Sequence, residues 1–398
     1  MARADFTTAS YKPLPVKWYN QLLKNRETKP LNFDNLLKKA RNRTGLKDLG
    51  SDFWDEPLSV LLQSINTEAA LSPFGRFMMS EKLTGQLENR LWVTHWLKKY
   101  PEILEAEILP IYLITGLQRT GTTKLQRLLS QQQGARGLRS WEALYPAPIK
   151  TGDETKKRKD KTKMNARALK IISPGFFAIH PIKFDAPEED VLLLDLHFMS
   201  TSMEAIARVP TYSTWLENTD QTPAYFFEKK LLKLLQWQKS GKYWVLKSPH
   251  HLEFIDDYKK VFPDAKMIWT HREIDKVVPS FINMIYHSRF VFSDDTSANE
   301  VRDHWMRKMQ RMTVNGANYA EKHPGTFTHI EYDDFLKNEV DVLSGILGME
   351  KNKINIRQEP YSSSHHYKLD DFDLSKEELE NYFNRYLDFK QKLNSTKK

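Results

Sequence analysis

The sequence predicts an α/β fold: a parallel sheet flanked by helices, preceded by a helical N-terminal extension. Three observations predict it. Short apolar runs at Ile108–Ile114, Tyr243–Lys247 and Lys266–Thr270 are each followed by a helical stretch, the alternation that a parallel sheet with crossover helices requires. The first run leads directly into Gly116-Leu117-Gln118-Arg119-Thr120-Gly121-Thr122-Thr123, a glycine-bearing turn that opens a helix over Lys124–Ser130. The N-terminal third, in contrast, carries its apolar residues at helical spacing.

The elements follow in order. Helices are expected over Trp18–Lys24, Phe33–Arg43, Pro57–Leu71 and Phe74–Lys99, and Pro101 ends the last of them before the first strand. Residues 1–107 are read as the extension and 108–398 as the α/β domain, the two forming one compact unit. Helices resume over Pro187–Met199 and Ala224–Lys239, with a second strand at Tyr243–Lys247 and an amphipathic stretch over Leu252–Phe262. Pro263-Asp264-Ala265 is a turn, and Lys266–Thr270 is the third strand. Helices at Ile274–Tyr286 and Ala298–Lys322 precede a fourth strand, Thr326–Ile330; a polar linker, Glu359–Asp371, precedes a last helix over Lys376–Lys390.

A strand, a glycine turn and a helix together cradle phosphate, because backbone N–H groups and the positive end of the helix dipole face the anion. Gly116 and Gly121 have the spacing of a Walker A loop, which makes the fold P-loop-like, but Thr122 stands where that loop has lysine. Arg119 supplies the cation instead, so the loop favours a nucleotide donor other than ATP. In parallel sheets ligands bind beyond the carboxyl ends of the strands. Arg119, Lys247 and Arg272 stand at three such ends and should converge on one crevice.

The loop resembles the 5′-phosphosulfate loop of sulfotransferases that use 3′-phosphoadenosine 5′-phosphosulfate (PAPS). It is most similar to a bacterial-type branch reading Gly-x-x-Arg-Thr-Gly-Thr-Thr. Arg272 and Ser280, eight residues apart, resemble that family's 3′-phosphate grip. Arg139-Ser140-Trp141-Glu142, Pro187-Glu188-Glu189-Asp190, Trp244–Ser280, His329–Phe335 and His366–Phe372 look like the same branch. The resemblance implies sulfuryl transfer from PAPS to a hydroxyl of a small-molecule or lipid-like acceptor, releasing adenosine 3′,5′-bisphosphate and needing no metal. It implies donor contacts from Gln118, Arg119, Thr120, Gly121, Thr122, Thr123, Arg272 and Ser280, with Lys247 at the transferring sulfonate or the bridging oxygen. Gln118 and Lys124 replace residues usually apolar in the family, and the Arg-Lys-Gly-x-x-Gly segment of its cytosolic members is absent. Arg357, His366 and Lys368 are the candidates to complete the 3′-phosphate site.

A general base must accept the acceptor's proton. His180, His250, Glu188, Glu189 and Asp190 are the candidates, with His180 or Glu189 preferred and His250 expected to project into the same crevice. The acidic cluster also suits the opening of a helix, where the dipole favours carboxylates. The acceptor pocket is expected between Tyr145 and Trp215, among Phe176, Phe177, Phe184, Phe198, Tyr212 and Trp215, residues that suit an ordinary core equally well.

Composition bounds the alternatives. With no cysteine among 398 residues there is no disulfide, thiol nucleophile or thiolate metal site. No run of eighteen apolar residues and no apolar leader are present, so a cytoplasmic protein is expected. Lys and Arg outnumber Asp and Glu by 60 to 51, for a net charge of +9. The dense run Lys156–Lys163 is read as a solvated loop or the face of a surface helix, with contact to a membrane surface left open. No aromatic interleaving or known module points to nucleic acid. Two rival functions remain: a kinase using ATP and magnesium, and a non-catalytic anion-binding protein.

Overall fold

The computed structural model describes residues 12–24, 29–149, 154–179, 183–357 and 369–396. Its centre is a five-stranded, wholly parallel sheet: β1 (Ile111–Thr115), β2 (Ala135–Gly137), β3 (Tyr243–Lys247), β4 (Lys266–His271) and β5 (Phe327–Glu331), in the order β2-β3-β1-β4-β5. Four strands were legible in the sequence, three of them as apolar runs; β2 is a three-residue edge strand, too short to leave such a signature.

Alternation along the strands assigns the two faces of the sheet. Ile111, Leu113, Trp244, Leu246, Met267 and Trp269 face the large core. Tyr112, Ile114, Val245 and Ile268 face a smaller one, covered by Leu125, Leu128 and Leu129 of the helix after β1 together with Phe335 and Leu343.

Helices α1 (Leu14–Leu23), α2 (Phe33–Thr44), α3 (Asp55–Glu68) and α4 (Pro73–Lys99) precede the sheet. Their ends are set locally: the Asn32 side chain accepts from the Asn35 amide at the start of α2, and Gly45 ends it at φ +73°. Ser72 caps α4, with proline at its first position. Met79, Leu83, Leu87 and Leu91, four apart along α4, are fully buried in the same core as the sheet.

Beyond β1 come α5 (Thr122–Leu129), α6 (Glu154–Ile172), α7 (Pro174–Ile179), α8 (Thr222–Gln238), α9 (Ile255–Val261), α10 (Ile274–Phe292), α11 (Ala298–Lys322) and α12 (Asn384–Thr396). The dense basic run lies in α6, so it belongs to a helix rather than a loop. Among the described residues no helix is long and apolar enough to cross a membrane.

Three expected helices differ. Residues 187–190 do not open a helix: Pro187 bridges Arg139 and the Glu188 amide donates to the Leu138 carbonyl, so the helix begins only at Val191 and ends at Leu194. The stretch Leu252–Phe262 breaks at Phe254 (φ −121°, ψ 37°) into His250–Glu253 and α9. The last helix breaks at Phe383.

One polar cluster is enclosed in the helical layer. The ammonium of Lys308, in α11, is fully buried and lies 2.7 Å from Glu253, 3.1 Å from Glu217 and 3.3 Å from Glu204.

Candidate active site

The crossover after β1 places α5 over the smaller core, whereas α10, after β4, packs in the large core. The chain therefore leaves two adjacent strands in opposite directions, and the crevice between their carboxyl ends is where an open α/β sheet binds ligands.

The loop from Gly116 to Gly121 fills the mouth of this crevice. Gly116 adopts φ +130°, and a Cβ there would lie 2.5 Å from the Thr270 carbonyl oxygen of β4. Gly121, at φ +87°, lies so close to Tyr332 that a Cβ would meet its ring at 2.6 Å. Both positions need the absence of a side chain. Arg119 also takes a left-handed conformation (φ +67°), a strained one for a residue with a Cβ. No side chain caps α5, so the first amides of that helix are open to an anion.

Arg119, Arg272 and Ser280 meet here. The Arg119 Nε donates to Ser280 Oγ at 3.0 Å, and an Arg272 guanidinium nitrogen donates to the Arg119 carbonyl at 3.0 Å. The Arg272 guanidinium lies 4.3 Å from the centre of the Tyr332 ring. Tyr332 thus touches both the loop and the arginine. It sits one residue beyond β5, a strand-end position that the sequence signalled, although its role there was missed.

Other loop residues divide by direction. The Thr120 hydroxyl turns inward, bonding the Leu117 carbonyl at 2.6 Å and Thr270 Oγ1 at 2.7 Å, so its side chain is spent on holding the loop to β4. Gln118 Oε1 is buried with no hydrogen-bond partner among the described residues. Thr122 is buried at the first turn of α5 and Thr123 is half-buried beside it. Lys124 turns away to pair with Glu339.

Lys247 ends β3 level with Ile114 of β1, and its side chain is 3% exposed. It pairs with Glu189 (2.5 Å), whose side chain is 27% exposed. A strap of chain brings the glutamate there: the Ser140 amide donates to the Ala186 carbonyl, Glu188 to Leu138, and the Asp190 amide to the Lys247 carbonyl. Gln126 of α5 donates to the Glu188 carbonyl at 2.8 Å and ties the strap to that helix.

Among the described base candidates, Asp190 and His250 are buried in other surroundings. Asp190 is fully buried with Glu228 and His251, their ligand atoms all within 4.8 Å of one another. His251 Nε2 lies 3.1 Å from Asp190 Oδ1, while Nδ1 lies 3.0 Å from the Tyr225 hydroxyl. Burial, reinforced by the charge of Asp190, pushes the Glu228 carboxyl well above the ordinary range. His250 does not project into the crevice as expected. It is 1% exposed, with Nδ1 3.2 Å from Thr201 Oγ1 and its ring 4.8 Å from Phe254. Burial, with the nearby His251 and Lys308, pulls it well below its usual pKa. Glu188 is half-buried, its carboxylate accepting from the Glu189 amide and from Ser140.

His180, His366 and Lys368 lie outside the described residues. Arg357 is exposed, its backbone paired with Gln131 just past α5. Of the expected pocket aromatics, Phe198 and Tyr212 are core residues, the Tyr212 hydroxyl donating to the Phe198 carbonyl at 2.9 Å, and Trp215 stacks on Tyr212. Phe176, Phe177 and Phe184 are half-buried.

Comparison with known proteins agrees with this fold. The sequence profile of the sulfotransferase family matches residues 110–349. The structure is similar to the sulfotransferase STF1 from Mycobacterium tuberculosis H37Rv (28% identity, TM-score 0.78, covering 90% of this chain and 99% of that one). It is likewise similar to the sulfotransferase STF9 from Mycobacterium avium (27% identity, TM-score 0.79, covering 91% and 97%). No curated protein matches the chain in sequence.

Proposed function

Because the chain belongs to the sulfotransferase family, we propose that it moves the sulfuryl group of PAPS onto a hydroxyl of a small-molecule or lipid-like acceptor. The observation that carries this reading is the meeting of Arg119, Arg272 and Ser280 beside the uncapped start of α5. Two guanidinium groups and a hydroxyl suit a phosphate monoester, while the amides of Gly121, Thr122 and Thr123 suit the 5′-phosphate side. The hydroxyls of Thr122 and Thr123 add donors as negative charge grows on the leaving bisphosphate. Lys247, at the carboxyl end of the strand beside β1, holds the sulfonate oxygens. Glu189, within reach of Lys247 and partly open to solvent, takes the acceptor's proton. The reaction conserves atoms: the acceptor oxygen gains the sulfur, the bridging oxygen leaves with the bisphosphate, and the proton passes to the carboxylate.

Calorimetric titration with adenosine 3′,5′-bisphosphate tests the donor site. Binding without metal is expected, and Arg272→Ala should weaken it about 100-fold, the scale of two charge-assisted hydrogen bonds. Equal affinity for ATP with magnesium, unaffected by Arg272→Ala, would instead support a kinase.

A further inference from the structure

Two helices outside the crevice leave large apolar side chains in the open. In α1, Leu14, Trp18 and Leu22 are 73, 69 and 60% exposed. Their spacing of four places them on one stripe, while Val16 on the opposite side is buried. In α6, Met164 and Ile171 are 61 and 67% exposed. Exposed Ala168 lies between them, and exposed Lys163, Arg167 and Lys170 run alongside.

Both helices are attached to the same end of α10. Lys12, just ahead of α1, donates to the Ser293 carbonyl at 3.1 Å, pairs with Asp294, and lies 4.9 Å from the centre of the Phe290 ring. Helix α7, one residue after α6, packs on α10, where a Cβ on Gly175 would lie 2.8 Å from His287 Nδ1. His287 and Phe290 are three residues apart and share a face of α10, so α1 and α6 flank one end of that helix.

Within the two helices the exposed, unpaired charge is basic, with Asp294 paired to Lys12 and Asp185 paired to Lys159 at their borders. α1 contains no acidic residue. In α6 the acids are Glu154, which is buried, and Asp160, which pairs with Lys156 at 2.7 Å. A second copy of the chain would bring cations against cations across a two-fold axis. An anionic bilayer offers what each part lacks: an interfacial apolar layer for the tryptophan and leucines, and a negative surface field for the lysines.

We propose that α1 and α6 form a peripheral docking face for an anionic lipid bilayer, the tryptophan stripe entering the interface and the basic helix lying on the headgroups. The proposal does not depend on the donor chemistry and is tested without it. The purified protein is to be sedimented with vesicles of phosphatidylcholine, with and without phosphatidylserine. Binding is expected only with phosphatidylserine, and it should weaken as salt is raised. Trp18→Glu and Ile171→Glu should each lower the partition coefficient about tenfold, and Lys163→Ala and Lys170→Ala about fivefold each. Lys38→Ala, at an exposed lysine on α2, should leave it unchanged. Circular dichroism and thermal unfolding establish that each variant is folded. Failure to sediment, or sedimentation insensitive to Trp18→Glu and Ile171→Glu, overturns the proposal. So does a dimer in light scattering that Trp18→Glu dissociates, since the stripe would then be covered by a second copy.

Discussion

Lys247→Ala is expected to lower kcat about 100- to 1,000-fold, the range observed when one preorganised charge donor is removed from a transition state. Its affinity for adenosine 3′,5′-bisphosphate should stay within about threefold of the parent, because the product has lost the sulfonate that the lysine is proposed to hold. Glu189→Gln separates the two members of the pair. It should lower kcat about 100- to 10,000-fold, as loss of a general base does. Rapid-quench turnover of both variants and of the double variant checks this. If the lysine served only to hold the glutamate, the double variant would lose no more than Glu189→Gln alone, and the assignment of Lys247 to the sulfonate would fail.

Lys308→Met is expected to destabilise the fold by about 3–5 kcal/mol, the cost of leaving a buried charge without its partner. Its ammonium is enclosed by Glu204, Glu217 and Glu253, and their combined charge outweighs burial and raises its pKa. Burial raises the Glu217 carboxyl, but the hydrogen bond from Arg307 and the charge of Lys308 prevail and hold it at about 2. A carboxyl depressed on folding stabilises the native state fully above its unfolded value and loses that contribution as pH falls towards the folded one. Denaturant titrations should therefore show stability falling from about pH 4.5 towards pH 2. Glu217→Gln should flatten that slope while lowering stability at neutral pH. A parent chain whose stability is flat across this window would contradict the account.

Much of the sheet was legible because its strands are unbroken apolar runs ending in Lys247, His271 and the Gly116 turn, and buried parallel strands leave that pattern. The meeting of Arg119 with Arg272 was legible for the same reason, since strand ends of one parallel sheet share an edge, whereas Ser280, inside α10, was singled out only by the family resemblance. What escaped was set by tertiary contact. The side-chain direction of Thr120 depends on Thr270, 150 residues away. The burial of His250 follows from Phe254 and Thr201 closing over it, and one residue of register separates a strand-end group that faces the crevice from one that faces the core. The strap 186–190 takes its shape from β2, a strand too short to announce itself.

The hydrogen bond from Arg272 to the Arg119 carbonyl has a consequence for selectivity. The arginine proposed to recognise the 3′-phosphate also holds the loop that receives the 5′-phosphosulfate, in a backbone conformation that is costly unaided. The two ends of the donor are thereby read through one shared support, so their contributions are not independent. A nucleotide lacking the 3′-phosphate would forfeit a contact and, with it, part of the restraint that keeps the loop shaped for the other end. Discrimination between the full donor and its truncated analogue should then exceed what the missing phosphate contact alone would supply.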